Sequence, residues 1–151
     1  MNALFNINGK VVVITGGTGV LGCSIAKYLA NEGCKVVILG RNENTGNEIV
    51  ADITKEGGEA IFLTCDVMSQ EACQVVCDEV MKRYGRVDAL LNAAGGNMPG
   101  ATIAPTGTFF DLKVEEFERV LSLNLTGTVI PTQVFLKPMV EAGKGAIVNF
   151  S

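Results

Sequence analysis

Histidine is missing from the chain altogether, and tyrosine occurs only twice in its 151 residues. The lack of histidine, with five cysteines scattered at Cys23, Cys34, Cys65, Cys73 and Cys77, argues against a structural zinc site, which needs about four ligands. Cys73 and Cys77 are spaced to share a helix face, but two thiols do not complete such a set. The odd cysteine count and irregular spacing also argue against a disulfide framework. Small buried apolar thiols are the better reading. No apolar run reaches the roughly eighteen residues that span a bilayer, and Met1 to Lys10 lacks the basic-then-apolar order of an export signal. No membrane association and a cytoplasmic location are therefore expected. Nor is there an excess of positive charge. Twelve Lys and Arg stand against sixteen Asp and Glu, a formal net charge of −4. Such a chain gains little from the phosphate attraction that dominates nucleic-acid affinity, so no nucleic-acid partner is expected.

What is present is apolar sequence in short, punctuated runs: 48% of residues are hydrophobic, 19% are charged and 18 are glycine. That is the composition of a turn-rich globular chain, long enough for one domain with a substantial core. Val11 to Ile14 is β-branched throughout and runs into a glycine-rich turn, as a strand buried on both faces does. A helix is predicted over Val20 to Asn31, with Leu21, Ile25, Leu29 and Ala30 as its apolar side and Gly33 as its stop. Val36 to Leu39 is a second strand, Glu43 to Glu56 a weaker helix, and Ala60 to Leu63 a third strand. Gln70 to Tyr84 places Cys73, Val76, Cys77, Val80 and Tyr84 at helical spacing. Ala89 to Leu91 is the fourth strand. A glycine- and proline-rich passage through Gly107 follows, read as a loop over a site rather than a linker. Phe117, Val120, Leu121 and Leu125 are again helically spaced, and a further helical stretch should be bent or interrupted at Pro131. Ala146 to Phe150 is the fifth strand. Strands and helices alternating with short crossovers predict an α/β fold, a parallel sheet with helices on both faces.

The segment Thr15-Gly16-Gly17-Thr18-Gly19-Val20-Leu21-Gly22 joins the first strand to the first helix. Glycines there allow a tight turn and close approach of backbone to a pyrophosphate, which the helix N-terminus attracts. The segment resembles the turn of the short-chain dehydrogenase/reductase family, Thr-Gly-x-x-x-Gly-x-Gly. Thr15, Gly16 and Gly22 match; Val20 stands where the middle glycine would, and Gly19 comes one residue early. The resemblance implies a Rossmann-like doubly wound sheet of order 3-2-1-4-5, and NAD or NADP as cofactor. It also implies that Gly16, Thr18, Gly19, Val20, Leu21 and Gly22 form the phosphate turn.

Four further places carry the resemblance. Gly40-Arg41-Asn42 falls where the family meets the adenosine ribose. Gly40 supplies no carboxylate for the ribose hydroxyls, while Arg41 offers a fork of donors to a 2′-phosphate, a slight preference for NADP; a solvated surface arginine is the alternative. Asp66 and Val67 look like the family's adenine-contacting pair, against an ordinary turn aspartate. Asn92-Ala93-Ala94-Gly95 is similar to the family's Asn-Ala-Gly signature, with Asn92 either tying strands together or touching ligand. Asn124 matches the asparagine that the family associates with a proton-relay water; a helix-bending hydrogen bond is the alternative.

The family's catalytic serine, tyrosine and lysine are not assignable. Ser151 resembles the neighbour of the serine, and neither Tyr28 nor Tyr84 has a lysine four residues on. Residues 1–151 are thus expected to be a single, incomplete dinucleotide-binding domain ending before the Tyr-x-x-x-Lys region, inactive alone. The parent would be an oxidoreductase acting on a carbonyl or alcohol. Gly95 to Ala101, Phe109 to Leu112 and Pro131 to Phe135 resemble the family's sugar-acid enzymes of the D-mannonate or fructuronate type. A non-catalytic dinucleotide-sensing or protein-interaction module is the rival reading. The outer edge of the fifth strand predicts a homo-oligomer.

Overall fold

The computed structural model describes residues 6–150; Ser151 lies outside them. Five strands, β1 (Val11–Thr15), β2 (Lys35–Gly40), β3 (Glu59–Thr64), β4 (Ala89–Asn92) and β5 (Ala146–Asn149), form one sheet of order β3-β2-β1-β4-β5. Every neighbouring pair is parallel, with Val13 opposite both Val37 and Leu90. The predicted order and direction hold. All five residues of β1 are buried, as a central strand covered on both faces requires.

Alternation of side chains divides the core into two layers. On one face Val12, Ile14, Val36, Ile38 and Leu91 pack beneath α1 (Val20–Asn31) and α2 (Glu43–Lys55). On the other, Val13, Val37, Leu39 and Leu90 meet Cys73, Val76, Cys77 and Val80 of α3 (Gln70–Tyr84) and Val134, Phe135 and Met139 of α5 (Gly127–Glu141). Phe135 is fully buried. Its truncation to alanine removes the largest fully buried side chain of that layer, a change that typically costs about 3–5 kcal/mol.

Two sequence expectations change. Of the predicted apolar side of α1, Ala30 is buried and Ile25 and Leu29 pack against the core, but Leu21 is 53% exposed, and Gly22 and Ala26 are the other buried residues. Small residues at i, i+4 and i+8 let the helix backbone lie close to the sheet, and Leu21 falls about 100° round from that line. The interruption expected at Pro131 lies upstream instead. α4 (Val114–Leu121) passes into a π turn at Ser122–Thr126, and α5 then runs continuously through both Pro131 and Pro138. A widened turn is a recognised site of helix irregularity, and such turns concentrate at functional sites. Among the described residues no helix is long and apolar enough to cross a membrane.

Candidate functional site

The chain leaves β1 toward β2 on one side and reaches β4 on the other, so a crevice opens at the carboxyl ends of the strands where the winding reverses. A cavity of about 310 Å³ occupies it, lined by the β1 turn (Gly16, Thr18, Gly19), the β2 end (Gly40, Arg41), the β3 end (Cys65 to Met68), the β4 end (Ala93 to Gly95) and Leu123.

The floor is built by backbone contact. Gly16 has φ +64°, and a Cβ there would stand 2.6 Å from the carbonyl oxygen of Ala93 and 2.7 Å from Cα of Ala94. Only glycine satisfies both the left-handed backbone and that approach. Gly22, one turn into α1, presses on the Gly16 carbonyl and the Gly17 Cα, leaving no space for a side chain. Gly22 therefore shapes the turn from behind. Gly19 is the N-cap of α1 and offers no side-chain cap, and the first turn holds no acidic residue. Its first amides are left for an external acceptor, and the helix dipole favours an anion there. By contrast, Asn42 caps α2 by accepting from the Thr45 amide, and Ser69 caps α3 by accepting from that of Ala72. Val20 is 91% exposed at the start of α1 and, like Leu21, has no side chain in the cavity wall.

Around this floor the polar groups have distinct duties. Arg41 is exposed on the rim, beside the Asn42 that spends its side chain on the α2 cap. The Asp66 carboxylate accepts from the Met68 amide at 2.9 Å, which fixes its turn while the residue stays exposed to the cavity. Asn92 is buried and donates from Nδ2 to Thr132 Oγ1 and Asn149 Oδ1, at 3.0 and 2.9 Å, tying β4 to α5 and β5. Asn124, inside the π turn, accepts from the Gly96 amide and donates to the Gly96 carbonyl, both at 3.0 Å. This pair of bonds holds the start of the long loop against the α4–α5 junction.

Several contributors were given no site role from the sequence. Thr15, buried at the end of β1, accepts from the amides of Ala93 and Ala94 at 3.2 and 3.1 Å, pinning the wall to the floor. Its signal was available: it is the single polar residue closing an apolar strand. Leu123, Met68 and Cys65 join the lining through packing alone and carry no such signal. The tyrosines stand elsewhere, Tyr28 exposed on α1 and Tyr84 as the last residue of α3.

These features fit a dinucleotide's phosphates and adenosine: a cradle that a single Cβ would fill, an uncapped helix start, and a polar rim. Comparison with known proteins agrees with that geometry. The chain is 39% identical over 154 residues to the uncharacterized oxidoreductase UxuB of Bacillus subtilis, covering 97% of this chain and 55% of the relative. A candidate D-mannonate oxidoreductase from Haemophilus influenza, solved with bound NAD, superposes with a TM-score of 0.87 at 34% identity, over 97% of this chain and 56% of that one. A metagenomic short-chain oxidoreductase in complex with NADP gives 0.83 at 28% identity, over 97% and 63%. The chain spans about half the length of the curated relatives it matches. With residues 10–151 matched by the sequence model described as short chain dehydrogenase, and with the sheet order and glycine cradle that the family's turn implies, this chain belongs to the short-chain dehydrogenase family.

Proposed function

We propose that this chain is the nucleotide-binding part of an NAD(P)-dependent oxidoreductase that moves hydride between nicotinamide and a carbonyl or alcohol, with a sugar acid as the substrate class. The observation that carries the reading is the Gly16 turn, packed against Ala93 and Ala94 beneath the uncapped start of α1. A backbone cradle at a helix N-terminus on the winding reversal suits a pyrophosphate better than any neutral ligand. In this reading the residues of the β1 turn bind phosphate, Asp66 and Val67 receive the adenine, and Arg41 meets the ribose end. Thr15 and Asn124 hold the β4 wall in place. The bound cofactor supplies the hydride chemistry; the chain supplies orientation and charge.

NADP is the preferred cofactor, because Gly40 presents no carboxylate to a ribose while Arg41 is exposed beside it. The sugar-acid assignment rests on likeness to the D-mannonate-type structure, which itself carries NAD, so substrate class and cofactor choice are tested separately. Self-association is part of the same proposal. β5 is an outer strand of the sheet, and Val114, Phe117, Leu121 and Leu125 leave an exposed apolar stripe along α4 and the π turn, a surface that favours burial against another chain. Sedimentation should give a species larger than one chain; a monodisperse monomer at high concentration would refute that part.

Binding, not turnover, is the decisive readout for the chain, since neither tyrosine lies at the cavity. Calorimetric titration of NAD and NADP into the folded protein should show saturable binding of at least one. Binding unaffected by a bulky side chain at Gly19 would mean that this turn is not the phosphate site.

A further inference from the structure

Two of the five free cysteines meet at the wall of the nucleotide cavity. Cys65 follows β3, donates its amide to the Gly40 carbonyl at 3.0 Å, and lines the cavity. Cys73, fully buried in the first turns of α3, places its sulfur 3.8 Å from that of Cys65. Between them runs the turn Asp66 to Ser69, which carries much of the adenine side of the cavity. Within the turn, Ser69 N–H donates to Asp66 O at 3.0 Å and Met68 N–H to Asp66 Oδ1 at 2.9 Å; Ser69 caps Ala72 at 3.1 Å, and Cys73 donates its amide to Ser69 O at 3.0 Å and its thiol to Asp66 O at 3.9 Å. The remaining cysteines are placed differently. Cys34 is buried in the opposite layer with its thiol on the Ile7 carbonyl, Cys23 is half-buried on α1, and Cys77 lies one turn beyond Cys73 on α3.

We propose that Cys65 and Cys73 are an oxidisable dithiol reached through the nucleotide cavity, and that joining them as a disulfide weakens dinucleotide binding. The consequence for binding rests on the function proposed above; the dithiol itself does not. The oxidant is a peroxide, small enough to enter the cavity. The Cys65 sulfur attacks one peroxide oxygen, the O–O bond breaks, and the departing hydroxide takes the thiol proton and leaves as water. The Cys73 sulfur then attacks the sulfenic sulfur of Cys65. The S–S bond forms, the S–O bond breaks, and a second water leaves with the Cys73 proton. The two sulfurs together lose two electrons, and the peroxide gains them.

Access sets this division of roles: Cys65 lines the cavity, and Cys73 is fully buried behind it. The hydrogen-bonding contact between the two sulfurs holds Cys73 below the ordinary thiol value, against the effect of burial, which suits it to the second step. That same bond, with burial, pushes Cys65 upward, so the first step is the slow one. To bond, the sulfurs must close from 3.8 Å to about 2.05 Å. Because Cys73 is fixed in α3, the closure draws the start of that helix toward β3 and strains the Asp66–Ser69 turn between them. A dinucleotide occupying the cavity would cover Cys65 and block the first step.

The test treats the folded protein with millimolar peroxide, with and without saturating dinucleotide, and maps thiols and cross-linked peptides by mass spectrometry. The expected product links Cys65 to Cys73, with loss of two of the five free thiols. Its formation should slow several-fold when the cofactor is bound, and the oxidised protein should bind dinucleotide on the order of tenfold more weakly until reduced. Cys73→Ala should leave a Cys65 sulfenic acid that dimedone traps; should that variant not fold, the mapping of the parent protein decides. Oxidation elsewhere with Cys65 and Cys73 still reduced, or a link from Cys73 to Cys77, overturns the proposal. So does a Cys65–Cys73 link that forms at the same rate with dinucleotide demonstrably bound. A parent protein that binds neither cofactor refutes the proposed function instead, and the thiol map still judges the pair.

Discussion

A Cβ on Gly40 would stand 2.8 Å from Oγ1 of Thr18 and 2.9 Å from its Cγ2. The residue ending β2 and the residue in the β1 turn therefore share one space, and Thr18 fills it. Cofactor choice at the ribose end is a property of this pair together with Arg41. Arg41→Ala should weaken NADP binding by ten- to a hundred-fold, roughly 1.5–3 kcal/mol for one charge-assisted contact, and leave NAD nearly unchanged. The difference should shrink as salt rises, because Arg41 is exposed. Equal losses for the two cofactors in paired titrations would defeat the specificity argument.

The same contact dictates how a carboxylate must be introduced. Gly40→Asp alone collides with the Thr18 side chain and should lose stability or distort the turn. Gly40→Asp with Thr18→Gly should fold well and favour NAD, since the new carboxylate can accept from ribose hydroxyls and repels a 2′-phosphate. Thermal melting and titration of the single and double variants check this. The reversal of preference should appear only in the double variant if the steric coupling holds.

Gly16 and Gly19 separate folding from binding. Gly16→Ala places a Cβ in a left-handed position against Ala93 and Ala94, and should cost about 1–3 kcal/mol of stability. Gly19 has ordinary φ of −77° and only the Gly16 carbonyl near a Cβ, at 3.3 Å. Gly19→Trp should therefore remain folded while its ring fills the cavity and abolishes dinucleotide binding. Chemical denaturation and calorimetry, run on both variants, should place the first loss in stability and the second in affinity.

Asn124→Ala removes both bonds to Gly96. At about 0.5–1.5 kcal/mol for each bond, the loop after β4 should open more readily, seen as faster amide exchange at Gly96 and its neighbours. Asn124→Asp keeps the acceptor and loses the donor, so it should fall between. Unchanged exchange in Asn124→Ala would show that the loop is held by something else.

Asp88 supplies a pH test away from the cavity. Its Oδ2 accepts from the Val11 amide at 2.9 Å, while Oδ1 pairs with Arg86 and lies 3.6 Å from Lys10. Burial alone would raise this carboxyl, but the bonds from Arg86 and Val11 and the two positive charges outweigh it and hold it below the ordinary value. A depressed carboxyl contributes stability that is complete above the unfolded value, near 3.9, and is lost as pH falls through the lower folded value. Asp88→Asn should therefore be less stable than the parent at pH 7, by about 1.5–3 kcal/mol, with the gap narrowing below about pH 4. A constant difference across that range would contradict the assignment.

Much of this architecture was legible in the residues. A wholly β-branched run such as Val11 to Ile14 suits a strand buried on both faces, and the glycines after it mark where the chain must turn tightly. The alternation of strands and helices implied a parallel sheet with right-handed crossovers, and the resemblance to the short-chain dehydrogenase/reductase family supplied its order. The family resemblance also located Asn124 and Arg41. It did not reveal that Asn124 sits in a π turn, nor that the interruption precedes Pro131, because α4 and α5 are nearly continuous in propensity and only their packing decides where the extra residue is absorbed.

The sequence by itself determined the elements, their order and the glycine-rich entry to α1, since hydrophobic period, chain reversal and backbone freedom are local properties. Tertiary structure decided which distant groups touch: Gly16 with Ala93 and Ala94, Thr15 with the two amides beyond β4, Thr18 with Gly40, Asn124 with Gly96, and Cys65 with Cys73. It also decided that Gly22, Ala26 and Ala30, rather than Leu21, face the sheet. Those contacts depend on strand register and on how closely a helix can approach the sheet, quantities fixed when both core layers close around the strands.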